Sequence, residues 1–339
     1  MLNWAALVAQ ETNQGDTSMN KLILLCGLPG VGKSTAAKKF ISNDDNAVWL
    51  SSDALREEMW GDVNDQKNAP AIFTEMNKRA AAALNEHKTV IYDATNLRAD
   101  KRKATLQEII RAVKPACSDF QAWCYIVVCS ITECKRRQFY RDRVVPDEVI
   151  DRMIRNFQIP WYNEGWDYIN ILETGPMQDL AEEHRCALET PHDNPYHTMS
   201  IGAHCRATCA EMRKLLHEHK EFSVYADILI EAAYQHDIGK CKTKSFTNSK
   251  GIISDVAHYY DHENVGAYLW LSSDQSSCWN LSDRLAIGLL IQWHMQPYFL
   301  CDKNGDYRAN FKKWCDKKGF GPTFYESVCL LHEADKAAH

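Results

Sequence analysis

The sequence contains no C-x-x-C pair, although 13 cysteines are scattered through its 339 residues. An odd, dilute set of this kind excludes the disulfide framework of small secreted domains and points to reduced thiols. Nothing approaches the ~18 consecutive apolar residues that span a bilayer, and the N-terminus lacks a basic stretch followed by an apolar core. No membrane partner is expected, and the expected location is cytoplasmic. An excess of positive charge is missing too. The net charge of −6 argues against a basic coat for long nucleic acids, while leaving room for a local basic groove. Histidine is nearly absent from the first half: only His87 precedes residue 180, and the rest of the 13 histidines follow it. That asymmetry points to different chemistry in the two halves.

Hydrophobic residues make up 45% of the chain and charged residues 25%, enough for two cores at roughly twice a typical domain length of about 150 residues. Residues 1–18 are mixed in character and end in a Gly, Asp, Thr, Ser cluster. They read as an N-terminal extension, with Met19 as an alternative to Met1 as the start. KLILLCG, AVWLSSD, TVIYDATN, AWCYIVVCS and YINILET then recur as short apolar runs, and STAAKKFI, PAIFTEMNKRAAAALNE and RADKRKATLQEIIRAV between them have helical spacing. The alternation predicts an α/β domain over 19–175, a parallel sheet with helices on both faces. Over 176–339 the apolar spacing becomes helical, as in CAEMRKLLHEHK, YADILIEAAYQH and LSDRLAIGLLIQWH, and predicts an all-α second domain.

GLPGVGKS, from Gly27 to Ser34, is an unbroken G-x-x-x-x-G-K-[ST] between an apolar strand and a helix, the context that makes this phosphate loop credible. Its glycines let backbone N–H groups converge on phosphate oxygens, the helix N-terminus adds partial positive charge, and Lys33 adds a full one. The nucleotide-binding set is Gly27, Leu28, Pro29, Gly30, Val31, Gly32, Lys33, Ser34 and Thr35, with Ser34 as the Mg²⁺ ligand and ATP or another nucleoside triphosphate as the ligand. At the end of the second strand, Asp53 can accept the proton of an attacking hydroxyl and Arg56 can hold an acceptor phosphate; Asp53 can equally cap the following helix. Asp93, with Thr95 and Asn96 after it, is open to three uses: the Mg²⁺ shell, the acceptor, or an Asx turn. In KRRQFYRDR, Arg137 and Arg141 are four apart, so on a helix they share a face suited to a lid over the triphosphate. A solvated basic helix is the plainer reading.

GLPGVGKST, SSDALR, DATN and the C-x-x-R-x-x-x-R followed by VPDEVI resemble the kinase module of the polynucleotide 5′-kinase family, over roughly 20–172. The resemblance implies that Asp53 is the general base toward a 5′-hydroxyl and that Arg56 contacts the acceptor's phosphate. It makes Lys33 and Ser34 the phosphate-loop pair and Arg141 the lid arginine. Arg143 stays open, because the stretch up to Pro146 is one residue shorter than the family pattern.

In the histidine-rich half, His236 and Asp237 are adjacent at the close of a helical stretch, with His204 upstream and His262, His294 and Asp335 downstream. An adjacent His and Asp can face one metal, and several helices can direct ligands into one bundle interior. HDIGK, DHEN-x-GA and NPYHTMSIGAH resemble the HD-domain metal phosphohydrolases, over roughly 185–339. The resemblance implies a first metal on His204, His236, Asp237 and Asp335, and in some members a second on His262 and His294 with Asp237 as the bridge. Lys240, one turn after Asp237, can orient a scissile phosphate. His258 is a rival ligand to His262, whereas His197, His217, His219, His332 and His339 read as surface or supporting residues. The donor set suits one or two ions of Mn²⁺, Fe, Co²⁺, Ni²⁺ or Zn²⁺ without choosing among them.

Together the two resemblances imply a bifunctional end-healing enzyme. It would phosphorylate 5′-hydroxyl ends of RNA or DNA with ATP and remove a 2′,3′-cyclic phosphate or 3′-phosphate at a metal site. Its partners would be single-stranded or broken nucleic-acid ends, with RNA favoured because cyclic phosphates arise only beside a 2′-hydroxyl, and a separate ligase acting downstream. Two other readings stay open: a nucleoside or small-molecule kinase fused to a nucleotide phosphohydrolase, and a non-catalytic nucleotide sensor.

Overall fold

The computed structural model describes residues 19–65, 68–141, 143–195 and 198–338. The N-terminal extension, His197 and His339 lie outside the described residues. Two compact units result: one takes 19–153 and Pro160–Pro176, the other Ile154–Ile159 and 177–338. Among the described residues no helix is long and apolar enough to cross a membrane. The 13 cysteines are all free thiols.

The first unit is built on β1 (Lys21–Cys26), β2 (Ala47–Ser51), β3 (Thr89–Asp93), β4 (Gln121–Val128) and β5 (Tyr168–Glu173), in the order β2-β3-β1-β4-β5. Every pairing is parallel. All of β3 and all of β1 except Lys21 are buried. Successive strand residues face opposite sides, so burial without alternation means that both faces are covered. The connecting helices are α1 (Lys33–Ser42), α2 (Ser52–Trp60), α3 (Ala69–Asn85), α4 (Ala99–Ala112), α5 (Ile131–Arg136) and α6 (Asp147–Ile154). Parallel strands deliver their carboxyl ends to one edge, so the loop after β1, the start of α2 and the end of β3 converge there, where α/β sheets bind ligands.

A buried ion pair braces that edge. Arg102 of α4 donates to Glu164 at 2.8 and 2.6 Å and to the carbonyls of Asn96 and Leu97, each at 2.9 Å. Trp166 Nε1 also donates to Glu164, at 2.9 Å. Both charges are thus removed from water with their hydrogen-bonding capacity used, the condition under which a buried pair is tolerated.

The second unit contains α7 (Leu180–Glu189), α8 (Ile201–Glu218), α9 (Ala226–Gln235), α10 (Lys240–Thr243), α11 (His262–Leu271), α12 (Asp274–Ser277), α13 (Leu281–Trp293), α14 (Gln296–Phe299), α15 (Arg308–Lys318) and α16 (Pro322–Ala337). Helices α11 and α13 are buried on nearly every side, as expected of helices without a polar face. The unit is not wholly helical, which corrects the all-α expectation. An antiparallel hairpin, β6 (Ser245–Thr247) and β7 (Ile253–His258), is inserted after α10. β6 has only three residues and β7 buries only Ala257, so neither carries a readable apolar period, and the turn is closed by Gly251 N–H donating to the Asn248 carbonyl at 2.9 Å.

Candidate active sites

The phosphate loop turns through Gly30 (φ 82°) and Gly32 (φ 100°), left-handed conformations that glycine adopts without a Cβ penalty. Gly32 is the N-cap of α1, so the unpaired N–H groups of the first helical turn face the loop. Lys33 Nζ donates to the carbonyls of Gly27 at 3.0 Å and Leu28 at 2.8 Å. Burial pulls its ammonium below the usual lysine range, against the opposing charge of Asp93. Ser34 Oγ donates to Asp93 Oδ2 at 2.9 Å, and Trp49 Nε1 donates to the same oxygen at 3.3 Å. Burial raises the Asp93 carboxyl, while Lys33, Ser34 and Trp49 pull it back. The hydroxyl and the carboxylate therefore share one point, an oxygen donor pair of the kind Mg²⁺ takes. Asn96 (φ 48°) instead directs its amide to the Leu25 carbonyl at 2.8 Å, holding the loop after β3 against β1.

Ser51, not Asp53, caps α2: its Oγ accepts from Ala54 N–H at 3.4 Å. Asp53, in the first turn, is left to meet three arginines. Arg56 Nη1 donates to it at 2.7 Å, Arg143 Nη1 donates to the same oxygen, and Arg141 Nη2 stands 3.8 Å from the other. Arg56 is buried, and its guanidinium is lowered by that burial against the pull of Asp53.

The arginine segment is not the single helix expected. Helix α5 ends at Arg136, a 3₁₀ turn covers Arg137–Tyr140, and Arg141 is extended, so Arg137 and Arg141 do not share an α-helical face. Gln138 accounts for the break, because its side chain donates to the Cys134 carbonyl at 2.9 Å and accepts from Val145 N–H at 3.2 Å. Arg137 braces the phosphate loop: it donates to the carbonyls of Gly30 and Val31, each at 3.3 Å, and to Thr174 at 2.7 Å. Both Arg137 and Arg141 line a cavity of about 700 Å³ with Gly32, Lys33, Ser34 and Thr35, a size that suits a nucleotide.

In the helical unit the structure brings together all six of the proposed metal ligands. His204 comes from α8, His236 and Asp237 from the end of α9, His262 from the first residue of α11, His294 from the end of α13 and Asp335 from α16. The donor atoms of His204, His236 and Asp237 lie within 4.8 Å of one another, as do those of Asp237, His262 and His294. His204 Nε2 is 2.8 Å and His236 Nε2 3.6 Å from Asp335 Oδ1. Asp237 presents Oδ2 to His236 at 3.4 Å and Oδ1 to His262 at 3.2 Å and His294 at 3.6 Å, so its two oxygens face two separate donor groups.

Three of the rings are oriented from behind. The Nδ1 atoms of His236, His262 and His294 lie 2.9, 2.8 and 2.7 Å from the carbonyls of Ala233, Tyr259 and Ile291. Such bonds fix the proton on Nδ1 and leave Nε2 as the inward donor. His236 Nε2 is buried without a directed hydrogen bond. Burial alone would lower the His236 imidazole, but the Asp237 and Asp335 carboxylates outweigh it and raise it to about 10. Burial alone would raise both carboxylates, yet Lys240 and His236 hold Asp237, and His204 and His236 hold Asp335, well below the usual range. Buried, inward-facing imidazole nitrogens and carboxylates of this kind fit a divalent ion.

The same centre includes residues that sequence spacing did not single out. His192 is buried, with Nδ1 2.8 Å from the Met199 carbonyl and Nε2 3.5 Å from Lys240 Nζ. Lys240 Nζ also reaches Asp237 Oδ2 at 2.6 Å. Tyr259 donates to the His192 carbonyl, and Tyr298 donates to Asp335 at 2.8 Å. His192 lies in a loop and the tyrosines in no repeating pattern, so no period marks them. His258, the rival to His262, ends β7 and stacks on Tyr260 instead, outside the clustered groups. His217 is exposed and His219 half-buried. His332 is buried between Tyr298 and Tyr307, with its pKa pushed down to about 4 by burial.

Residues 22–160 match the family model described as "AAA domain". The L-seryl-tRNA(Sec) kinase of Methanococcus maripaludis is 29% identical over 157 residues, 44% of this chain and 57% of that protein. The chain thus matches little more than half the length of this curated relative. Among solved structures, the Pnkp1/Rnl/Hen1 complex contains a chain 25% identical with a TM-score of 0.30, over 40% of this chain and 43% of that one. A fungal RNA kinase is 15% identical with a TM-score of 0.35, over 48% and 40%. The matched segment, the parallel sheet and the phosphate loop give the N-terminal unit the α/β fold of a P-loop kinase, followed by a helical C-terminal region.

Proposed function

We propose that the chain heals nucleic-acid ends, with a 5′-hydroxyl kinase in the first unit and a metal-dependent phosphohydrolase of the HD type in the second. The observation that carries the kinase half is the meeting of Asp53 with Arg56, Arg141 and Arg143 beside the Ser34–Asp93 pair. A carboxylate among cations is what an acceptor hydroxyl flanked by phosphates requires. The carboxylate takes the proton while the cations hold the phosphate.

In the transfer, the acceptor oxygen loses its proton to Asp53 and bonds to the γ-phosphorus of ATP. The bond from that phosphorus to the bridging oxygen breaks, and ADP leaves with the electron pair. Lys33, Arg141 and the backbone N–H groups of the loop stabilise the charge on the transferring group. Ser34 and Asp93 would hold Mg²⁺, which supplies charge neutralisation at the phosphates. The curated relative, by its name, phosphorylates a seryl group carried on tRNA, in keeping with a hydroxyl acceptor borne on RNA.

For the second half, His204, His236, Asp237 and Asp335 would hold one divalent ion, and Asp237, His262 and His294 a second. Ions there would supply Lewis-acid charge to a phosphoryl group and acidify water. Lys240 binds the non-bridging oxygens of a 3′-phosphate or a 2′,3′-cyclic phosphate, and the carbonyl bonds behind the histidines keep the rings in place.

The test is to incubate the protein with ATP, Mg²⁺ and Mn²⁺ and a short oligonucleotide bearing a 5′-hydroxyl and a 3′-phosphate, alongside nucleosides and 3′-nucleotides. Both ends of the oligonucleotide are expected to be converted. Reaction of the monomers alone overturns the reading in favour of a small-molecule kinase fused to a nucleotide phosphohydrolase. Asp53→Ala should remove only phosphorylation, and Asp237→Ala only hydrolysis.

A further inference from the structure

The 3₁₀ turn that follows α5 exposes two consecutive aromatic rings. Phe139 is 85% and Tyr140 80% exposed, although a large ring in water forfeits the burial that ordinarily stabilises it. Single exposed hydrophobic side chains are common on protein surfaces. A consecutive aromatic pair set among arginines on a catalytic segment is a different pattern. Arg137, two positions before Phe139, lines the nucleotide cavity, as does Arg141 immediately after Tyr140. The buried side chain of Gln138 anchors the turn, and Arg137 is tied to Glu133 at 2.7 Å, so the rings are carried on a fixed backbone. The Arg136 guanidinium lies over the Tyr140 ring, 5.6 Å from its centroid. Three positions past Tyr140, Arg143 reaches Asp53.

Aromatic faces interleaved with guanidinium groups form the arrangement that binds single-stranded nucleic acid. Cations take the phosphates, and each ring accepts a base face whatever the base. A negatively charged chain that carries flat bases is complementary in both charge and shape, and a free sugar or small alcohol would use neither ring.

We infer that Phe139 and Tyr140 form a stacking subsite for the 5′-terminal nucleobase of a single-stranded acceptor, placing its 5′-hydroxyl against Asp53. This rests on the 5′-kinase reading and deepens it. The subsite would make the kinase select a strand end by its unpaired base, without reading sequence.

The test uses the full chain and four substrates: a single-stranded 5′-hydroxyl oligonucleotide, the same oligonucleotide with an abasic 5′-terminal position, its blunt duplex, and a free nucleoside. The double variant Phe139→Ala/Tyr140→Ala should raise KM for the single strand by about tenfold to a hundredfold, the range that stacking of one base supplies. KM for ATP, measured in parallel, reports whether the phosphate loop is intact. Wild-type protein should lose a similar factor on the abasic strand, where the double variant should cost nothing further, and Phe139→Trp should retain tight binding. An unchanged KM for the intact single strand in the double variant overturns the subsite, and so does an equal loss on intact and abasic strands. Wild-type protein that phosphorylates the nucleoside and not the oligonucleotide overturns the 5′-kinase reading itself, a result distinct from either.

Discussion

Asp53 and Arg143, 90 positions apart in the chain, are hydrogen-bonded side chain to side chain. The contact separates the roles of the lid arginines. Arg137 ties the phosphate-loop carbonyls where it lines the nucleotide cavity, Arg141 lines the same cavity and stands 3.8 Å from Asp53, and Arg143 bonds Asp53 without lining that cavity.

Arg143→Ala should therefore act on the acceptor, raising KM for a 5′-hydroxyl oligonucleotide about tenfold or more while leaving KM for ATP near its starting value. Arg141→Ala should lower kcat by about 10²–10³, the usual loss on removing one charge-stabilising donor. Asp53→Asn should cost about 10²–10⁴ in kcat, as loss of a general base does. Steady-state kinetics on the two substrates measures all three. A rise in KM for ATP with Arg143→Ala would place that side chain at the nucleotide instead.

Gly239, two positions after Asp237, packs against the start of α11, and a Cβ there would fall 2.1 Å from the His262 carbonyl and 2.6 Å from the Gly266 nitrogen. Both are backbone atoms that cannot step aside, so Gly239→Ala should push the start of α11 away and take His262 with it. The expected cost is about 1–3 kcal/mol of stability from overpacking. Metal stoichiometry, read by elemental analysis after equilibration with Mn²⁺ or Zn²⁺, should fall by the share that His262 and His294 hold. Full stoichiometry in a stable variant would show that the close approach does not position the ligand.

His236 carries a pH prediction. Its carboxylate partners raise the imidazole to about 10 in the metal-free fold, above the ordinary value of about 6.5. The stabilisation this gives is complete below pH 6.5 and disappears as pH rises toward 10, so the metal-free protein should melt at lower temperature across that window. A metal must displace the same proton, so apparent affinity should climb with pH over the same range and ion binding at pH 8 should release protons. Titration in weak buffer with an indicator measures the release; none from protein with His236 intact would contradict the assignment.

Glu164→Ala would leave Arg102 charged and unpaired in the core, at a cost of about 3–5 kcal/mol. At about 2–4 °C per kcal/mol for a unit of this size, the melting temperature should fall by about 6–20 °C. The double replacement Arg102→Met/Glu164→Leu should recover much of the loss, because no buried charge remains. Differential scanning calorimetry distinguishes the two, and an equal fall in both variants would mean that the pair stabilises beyond its desolvation cost.

The sequence by itself determined the parallel sheet, because five apolar runs alternating with helical spacing leave no other economical burial of both strand faces. It determined the phosphate loop as well, because glycines, lysine and serine at fixed offsets are a local requirement for holding a phosphate. The order of the six histidines and aspartates, read with the HDIGK and DHEN-x-GA motifs, pointed to a shared centre, and their donor atoms do come together, although other histidines of the same half lie elsewhere.

Only the tertiary structure decided the contacts made at long separation. Ser51 rather than Asp53 caps α2, and that frees a carboxylate for Arg143. Gln138 breaks the helix that four-residue spacing had suggested for Arg137 and Arg141. His192 reaches Lys240 from a loop without periodicity, and β6 is too short and β7 too exposed to show an apolar pattern. Helical and strand periods report which face a residue occupies. Which distant residue meets it there is fixed by how whole elements pack, and no local spacing carries that information.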